Sequence, residues 1–170
     1  MLVTPPRIYL SLGSNIGDRL ANLRDAIAAL PGAGVSVRKI SSIYETEPVD
    51  LLEQPWFLNR AVEAETNLEP LALLHALRAI ESRMGRTKAV PKGPRIIDLD
   101  ILFYADKIIA TSELQVPHPR LSQRRFVLLP LAEIAPTLND PISGATVQTL
   151  LQQTKDRSTV RIFSKIIGNW

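Results

Sequence analysis

Cysteine is absent from the 170 residues, and histidine occurs only twice. The first absence removes disulfides and thiolate nucleophiles, and no spacing suitable for a zinc centre is left. No apolar run approaches the roughly 20 residues that span a bilayer; the run from Phe126 to Ala132 contains Pro130. The start, Met1 to Arg7, holds two prolines but no apolar stretch ahead of a small-residue cleavage site. It does not read as a secretory signal, and a cytoplasmic protein is expected. The nucleotide-binding signatures GxxxxGK(S/T) and GxGxxG are missing, which excludes P-loop and Rossmann readings. Nothing groups Ser, His and Asp as a nucleophilic triad, and there is no internal repeat or low-complexity tract.

What remains is a globular composition, 45% hydrophobic and 22% charged, too apolar for a disordered chain. One domain over residues 1–170 is expected. A domain of this length buries roughly 70% of its unfolded surface, so it needs no metal for stability and a bound metal would be functional. The net charge of +3 suits a polyanionic small molecule or a nucleic acid equally.

Periodicity predicts a buried strand over Arg7 to Gly13 that stops at a Gly-Ser-Asn turn. A helix follows over Asp18 to Leu30, ended by Pro31-Gly32. Val35 to Tyr44 reads as a second strand rich in β-branched residues. Glu45 to Pro55, with two prolines and four acids, reads as a loop long enough to carry function. A third strand is predicted over Trp56 to Thr66, and a second helix over Pro70 to Met84 that ends at Gly85. After a basic loop, Arg86 to Pro94, comes a fourth strand, Arg95 to Ala105. A short strand at Ile108 to Thr111 and helices at Phe126 to Glu133 and Thr146 to Gln153 complete the chain. The order is that of an α+β, ferredoxin-like βαββαβ fold: an antiparallel sheet with helices on one face plus C-terminal additions.

Asp98 and Asp100 alternate with Ile97, Leu99 and Ile101, so on a strand their carboxylates share one face about 6.6 Å apart. At an effective dielectric near 20 two such charges repel by about 2.5 kcal/mol, against about 0.6 in bulk water. Partial burial therefore calls for a cation, and magnesium, which accepts one or two carboxylates plus phosphate oxygens, answers that need. An alternating strand with both aspartates in plain solvent is the other reading of the spacing. Just upstream, Arg83, Arg86, Lys88, Lys92 and Arg95 follow one another with no intervening acid. Carboxylates for a metal beside cations for phosphate are what triphosphate recognition uses. His118, held between Pro117 and Pro119, lies on a stiff segment that can aim its ring at a ligand.

Leu12-Gly13-Ser14-Asn15, Gln54-Pro55 with Phe57-Leu58-Asn59, Gly85-Arg86, Gly93-Pro94-Arg95 through Asp98-Leu99-Asp100-Ile101, and Val116-Pro117-His118 occur in that order. Over Arg7 to Pro136 the chain thereby resembles the 6-hydroxymethyl-7,8-dihydropterin pyrophosphokinase family. The resemblance implies a ferredoxin-like enzyme of folate biosynthesis that moves the β,γ-diphosphate of ATP onto the pterin hydroxymethyl group and releases AMP. It implies two Mg2+ ions held by Asp98 and Asp100, with Arg86 and Arg95 joining them in catalysis. It further implies Glu81, Lys88, Arg95, Ile101, His118 and Arg124 around ATP. Thr46, Val49, Phe57, Asn59 and Phe126 fall around the pterin, with the two phenylalanines sandwiching its ring.

The chain departs from the family pattern at several points. Lys92 replaces a pterin-covering tryptophan, Asp50 stands at a glycine position, and Phe57 lacks a tyrosine hydroxyl. Pro119 replaces a residue that is often aromatic, Lys88 stands at a common arginine position, and the Arg86 to Arg95 loop is one residue short. A monomer acting on ATP and the pterin, with no nucleic acid or membrane partner, is expected. The alternative is a ferredoxin-like RNA-binding module, but Trp56 to Val62 lacks the Gly-Phe pattern of that module and two sheet aspartates would repel a phosphate backbone.

Overall fold

The computed structural model describes residues 3–87 and 91–165. Lys88 lies outside them. The described strands are β1 (Arg7–Ser14), β2 (Val35–Ile40), β3 (Ile43–Thr46), β4 (Phe57–Thr66), β5 (Asp98–Tyr104), β6 (Ile109–Ala110), β7 (Gln115–Val116) and β8 (Val160–Ser164). The helices are α1 (Arg19–Ala29), α2 (Pro70–Arg83), α3 (Arg125–Ile134) and α4 (Val147–Gln153). The main sheet runs β5-β1-β4-β3-β8 with β2 also on β4, every pair antiparallel. With β2 and β3 taken as one broken strand, this is the ferredoxin-like α+β order expected.

Local chemistry explains the helix ends. Asp18 caps α1 by accepting from the Ala21 N–H at 3.0 Å, as short acidic N-caps do. Pro70 opens α2, where its missing N–H costs nothing. Gly85 ends that helix at φ 91°, a conformation that costs glycine little.

Strand alternation feeds two cores. On one face Leu10, Leu12, Val62, Leu99 and Ile101 pack against Leu23 and Ile27 of α1 and Leu73, Leu77 and Ile80 of α2. On the other, Tyr9, Ala61, Leu102 and Phe103 pack against Val127, Leu128 and Leu131 of α3 and Val147 and Leu150 of α4. The helices expected on one face are there, and the C-terminal additions cover the second. Central β4 is consequently buried along its whole length. In β5 the pairing with β1 slips between Tyr9 and Leu10, which leaves Leu102 as an extra residue. This bulge turns both Leu102 and Phe103 towards the α3 side.

The larger departures from the periodicity reading each have a local cause. The second strand is two, because Ser41 and Ser42 divert the ladder: the Ser41 hydroxyl accepts from Ala61 N–H, and Glu133 on α3 accepts from both the N–H and the hydroxyl of Ser42. Thr46 belongs to β3, so the loop begins at Glu47. β5 begins at Asp98 rather than Arg95, because Arg95 exchanges backbone contacts with Asn15 instead of a strand. The predicted strand at Ile108 to Thr111 shrinks to a two-residue pairing with Gln115–Val116. Finally β8, unmarked by periodicity, adds itself to the edge at β3.

Candidate active site

The registers assemble a floor before any side chain is considered. Gly13 of β1 pairs with Asn59 of β4 and with Asp98 of β5, Ser11 pairs with Asp100, and Thr46 of β3 pairs with Phe57. Residues two apart share a face, so Ser11, Gly13, Thr46, Phe57, Asn59, Asp98 and Asp100 all look towards the α3 side. They floor a cleft of about 530 Å³, walled by the loop Glu47 to Gln54, by Lys92 and Arg95, and by Arg124 and Phe126 at the start of α3. Nine of the residues expected at the site line it: Thr46, Val49, Phe57, Asn59, Phe126, Arg95, Arg124 and both aspartates.

Glycine at position 13 is a steric requirement. A β-carbon there would lie 2.4 Å from Asn59 Oδ1. Asn59 is buried and donates from Nδ2 to Thr46 Oγ1 at 2.7 Å, so its amide is held edge-on to the cleft floor. The two aromatics both carry a cation: the Arg95 guanidinium lies 5.3 Å from the Phe57 ring and that of Arg124 5.5 Å from the Phe126 ring.

The carboxylates are unequally served. Arg86 Nη1 reaches Asp98 at 2.8 Å and Glu81 at 2.6 Å, and Arg95 Nε approaches Asp98 at 3.5 Å. That last contact is an ion pair too poorly aimed for a hydrogen bond, so the buried Arg95 Nε keeps a free donor. Burial, then the charges of Asp98 and Glu81, push the Asp100 carboxyl well above the usual carboxylate range. Two carboxylates on one face with too little positive charge between them is a donor set that fits a hard divalent ion completed by phosphate oxygens. Among the described residues no cluster of three or more His, Cys, Asp or Glu forms a self-sufficient metal cage.

Four expected residues stand outside the cleft lining. Glu81 sits behind the aspartates, accepting from the Leu99 N–H at 2.7 Å and from Arg86; burial raises its pKa. Arg86 reaches the site through Asp98. The Ile101 side chain belongs to the α1–α2 core, because alternation turns it away from its aspartate neighbours, so only its backbone can face a ligand on that side. His118 is half-buried, with Nδ1 accepting from the Arg120 N–H at 3.2 Å. Burial, helped by Arg124, lowers its pKa to about 4, so the ring is neutral.

Two residues that the sequence offered only as a motif member and as a departure from the family pattern gain contacts here. Buried Asn15 joins the two site loops: its Nδ2 donates to Gln54 Oε1 and Pro55 O, and its Oδ1 accepts from Arg95 N–H. Its place in Leu12-Gly13-Ser14-Asn15 was the available signal. Asp50 gathers Lys92, Arg120 and Arg124 at 3.7, 3.5 and 3.4 Å, a convergence from three segments that spacing cannot reveal.

A family model for "7,8-dihydro-6-hydroxymethylpterin-pyrophosphokinase (HPPK)" matches residues 9–136. The chain belongs to that family. The 2-amino-4-hydroxy-6-hydroxymethyldihydropteridine pyrophosphokinase of Bacillus subtilis is 48% identical over 157 residues, covering 91% of this chain and 94% of that protein. The enzyme of the same name from Methylorubrum extorquens is 43% identical over 159 residues, covering 92% and 98%. Other HPPK relatives are longer: the folic acid synthesis protein fol1 of Pneumocystis carinii is 42% identical over 88% of this chain, which spans 20% of that protein. Among solved structures, a Plasmodium falciparum HPPK-DHPS with pterin and p-hydroxybenzoate superposes with a TM-score of 0.70 at 18% identity, over 88% of this chain and 44% of that one. The HPPK fold is thereby matched. The RNA-binding alternative finds no support: the sheet face such modules leave open is here covered by α3 and α4 and carries two carboxylates.

Proposed function

We propose that this chain is a pyrophosphokinase that transfers the β,γ-diphosphate of ATP to the hydroxymethyl oxygen of 6-hydroxymethyl-7,8-dihydropterin in folate biosynthesis. The observation that carries the reading is that Asp98 and Asp100 open onto the same cleft as Phe57, Asn59 and Phe126. A polyphosphate site and a flat-ring site are thus contiguous.

The hydroxymethyl oxygen attacks the β-phosphorus, the bond from that phosphorus to the α-phosphate oxygen breaks, and AMP departs. Two Mg2+ ions held by Asp98 and Asp100 would supply charge neutralisation along the triphosphate. Asp98 or Asp100 is the first acceptor of the hydroxyl proton. Asn59 can both donate to and accept from the ring edge, while Phe57 and Phe126 stack on its two faces, displacing the guanidinium groups that now cover them. Those guanidiniums, of Arg95 and Arg124, are then available to phosphate, and Arg86, which holds Asp98, is a third cation beside them. Glu81 holds Arg86 and the Leu99 peptide, and neutral His118 and the Ile101 backbone border the nucleotide. No covalent nucleophile is required, since positioning and charge neutralisation supply the rate. The reading carries with it a single cytoplasmic, monomeric domain over 1–170; no described helix is long and apolar enough to cross a membrane.

The test is to mix the chain with ATP, magnesium and the reduced hydroxymethylpterin and separate AMP from ADP. AMP formed in step with pterin diphosphate is expected. Asp98→Ala and Asp100→Ala should each abolish transfer while leaving pterin affinity within a few-fold. ADP as the product, or undiminished transfer in both variants, overturns the assignment.

A further inference from the structure

The strand β8 lies beyond the residues matched by the family and touches neither Asp98 nor Asp100, yet with Thr159 just before it, it grips both ends of the loop that walls the ring pocket. At the loop entrance, Glu47 N–H donates to Thr159 O at 3.1 Å and Thr159 N–H donates back to Glu47 Oε1. At the exit, the Arg161 guanidinium lies 5.0 Å from the Trp56 ring. The same guanidinium meets Glu45 Oε1 through both Nη2, at 2.6 Å, and Nε, at 3.2 Å. The other oxygen of Glu45 receives Arg19 Nη2 at 3.0 Å, and Arg19 Nη1 donates to the Trp56 carbonyl at 2.8 Å. That carbonyl belongs to the peptide linked directly to Phe57. A continuous chain therefore runs from β8 through Arg161, Glu45 and Arg19 to the backbone beneath one face of the ring pocket, and a second runs through Thr159 to the residue after Thr46.

We propose that β8 and the residue that leads into it, through Arg161 and Thr159, form a positioning element for ring recognition, fixing the spacing between Phe57 and the Glu47–Asp50 wall. Arg161 touches neither reactant and acts only through Glu45, Trp56 and the loop. The inference rests on the ring-binding reading above. Arg161 is 63% exposed, so its contacts add little to global stability; their effect falls on the placement of the loop, where preorganisation governs affinity.

Arg161→Ala is the principal variant. Its KM for the pterin should rise about tenfold while kcat and the KM for ATP stay within about twofold, the pattern of lost uniform binding of one substrate. Arg161→Lys, which keeps the cation but not the two-armed contact with Glu45, should recover part of the loss. Thr159→Pro removes the N–H that holds Glu47 and should raise the same KM independently. Pterin affinity measured by titration without ATP separates the two readings. If the native chain binds no pterin, the ring-pocket assignment fails; if the native chain binds it and Arg161→Ala binds it equally well, the positioning role of β8 is overturned. A parallel fall in kcat with a rise in both KM values would equally overturn it, because that is general loosening of the fold.

Discussion

Gly13→Ala is the sharpest structural test of the cleft floor. The added methyl would lie 2.4 Å from Asn59 Oδ1 and 3.7 Å from Phe57 Cδ1. Gly13 is paired on both sides, to Asn59 and to Asp98, so its backbone cannot retreat without dragging a floor strand. The Asn59 amide must therefore swing, breaking its 2.7 Å bond to Thr46 Oγ1. Leaving that buried amide unsatisfied costs about 1–3 kcal/mol. In a chain of this size each kcal/mol lowers Tm by about 2–4 °C, so a fall of several degrees is expected. On the ring-binding role proposed for Asn59, the ring edge loses its pairing partner, which at about 1.4 kcal/mol per decade should weaken pterin binding by roughly 10- to 100-fold. ATP affinity should change little. A thermal scan and a pterin titration read both effects. Adding Asn59→Ala removes the clash, so the double variant should be more stable than the summed single effects. A Gly13→Ala chain with native Tm and native pterin affinity would refute the argument.

Glu133→Ala removes the acceptor for Ser42 N–H, Ser42 Oγ and the Tyr44 hydroxyl. Because Glu133 is itself exposed and water can take its place, a loss of about 1–2 kcal/mol is expected, read as a lower urea midpoint at constant slope; an unmoved midpoint would show that the strand break does not depend on α3. His118 has its folded pKa lowered to about 4 from 6.5, so between these values the unfolded chain binds a proton that the folded chain refuses. Stability due to neutral His118 is thus present above about pH 6.5 and is lost as pH falls towards 4. His118→Gln should consequently lose less stability than the native chain between about pH 7.5 and 5, and equal losses in urea titrations would contradict the placement of the ring.

The site was most legible where one short segment contained its own reason. Asp98-Leu99-Asp100-Ile101 announces a polar and an apolar face at the period of a strand, and the structure has those two faces. Its limits follow from the same logic. The break at Ser41-Ser42 depends on Glu133, far along the chain, and β-branched neighbours on either side conceal it. β8 reads weakly because its strength comes from Arg161 reaching Glu45 and Trp56 rather than from an alternating pattern. Gly13 was visible as a motif, but its reason, the Asn59 amide across the ladder, exists only once β1 and β4 are in register. Asp50 likewise gains its meaning from cations that arrive from two other segments.

The extra residue in β5 has a consequence for how this strand can change. Ahead of Leu102, the alternation is committed to the cleft on one side and to the α1–α2 core on the other; behind it, two successive side chains face α3. The slip insulates the two halves. Repacking beneath α3 can proceed by altering Leu102 or Phe103 without rotating either aspartate, so the far half of the strand is free to drift while the near half keeps both carboxylates aimed into the cleft.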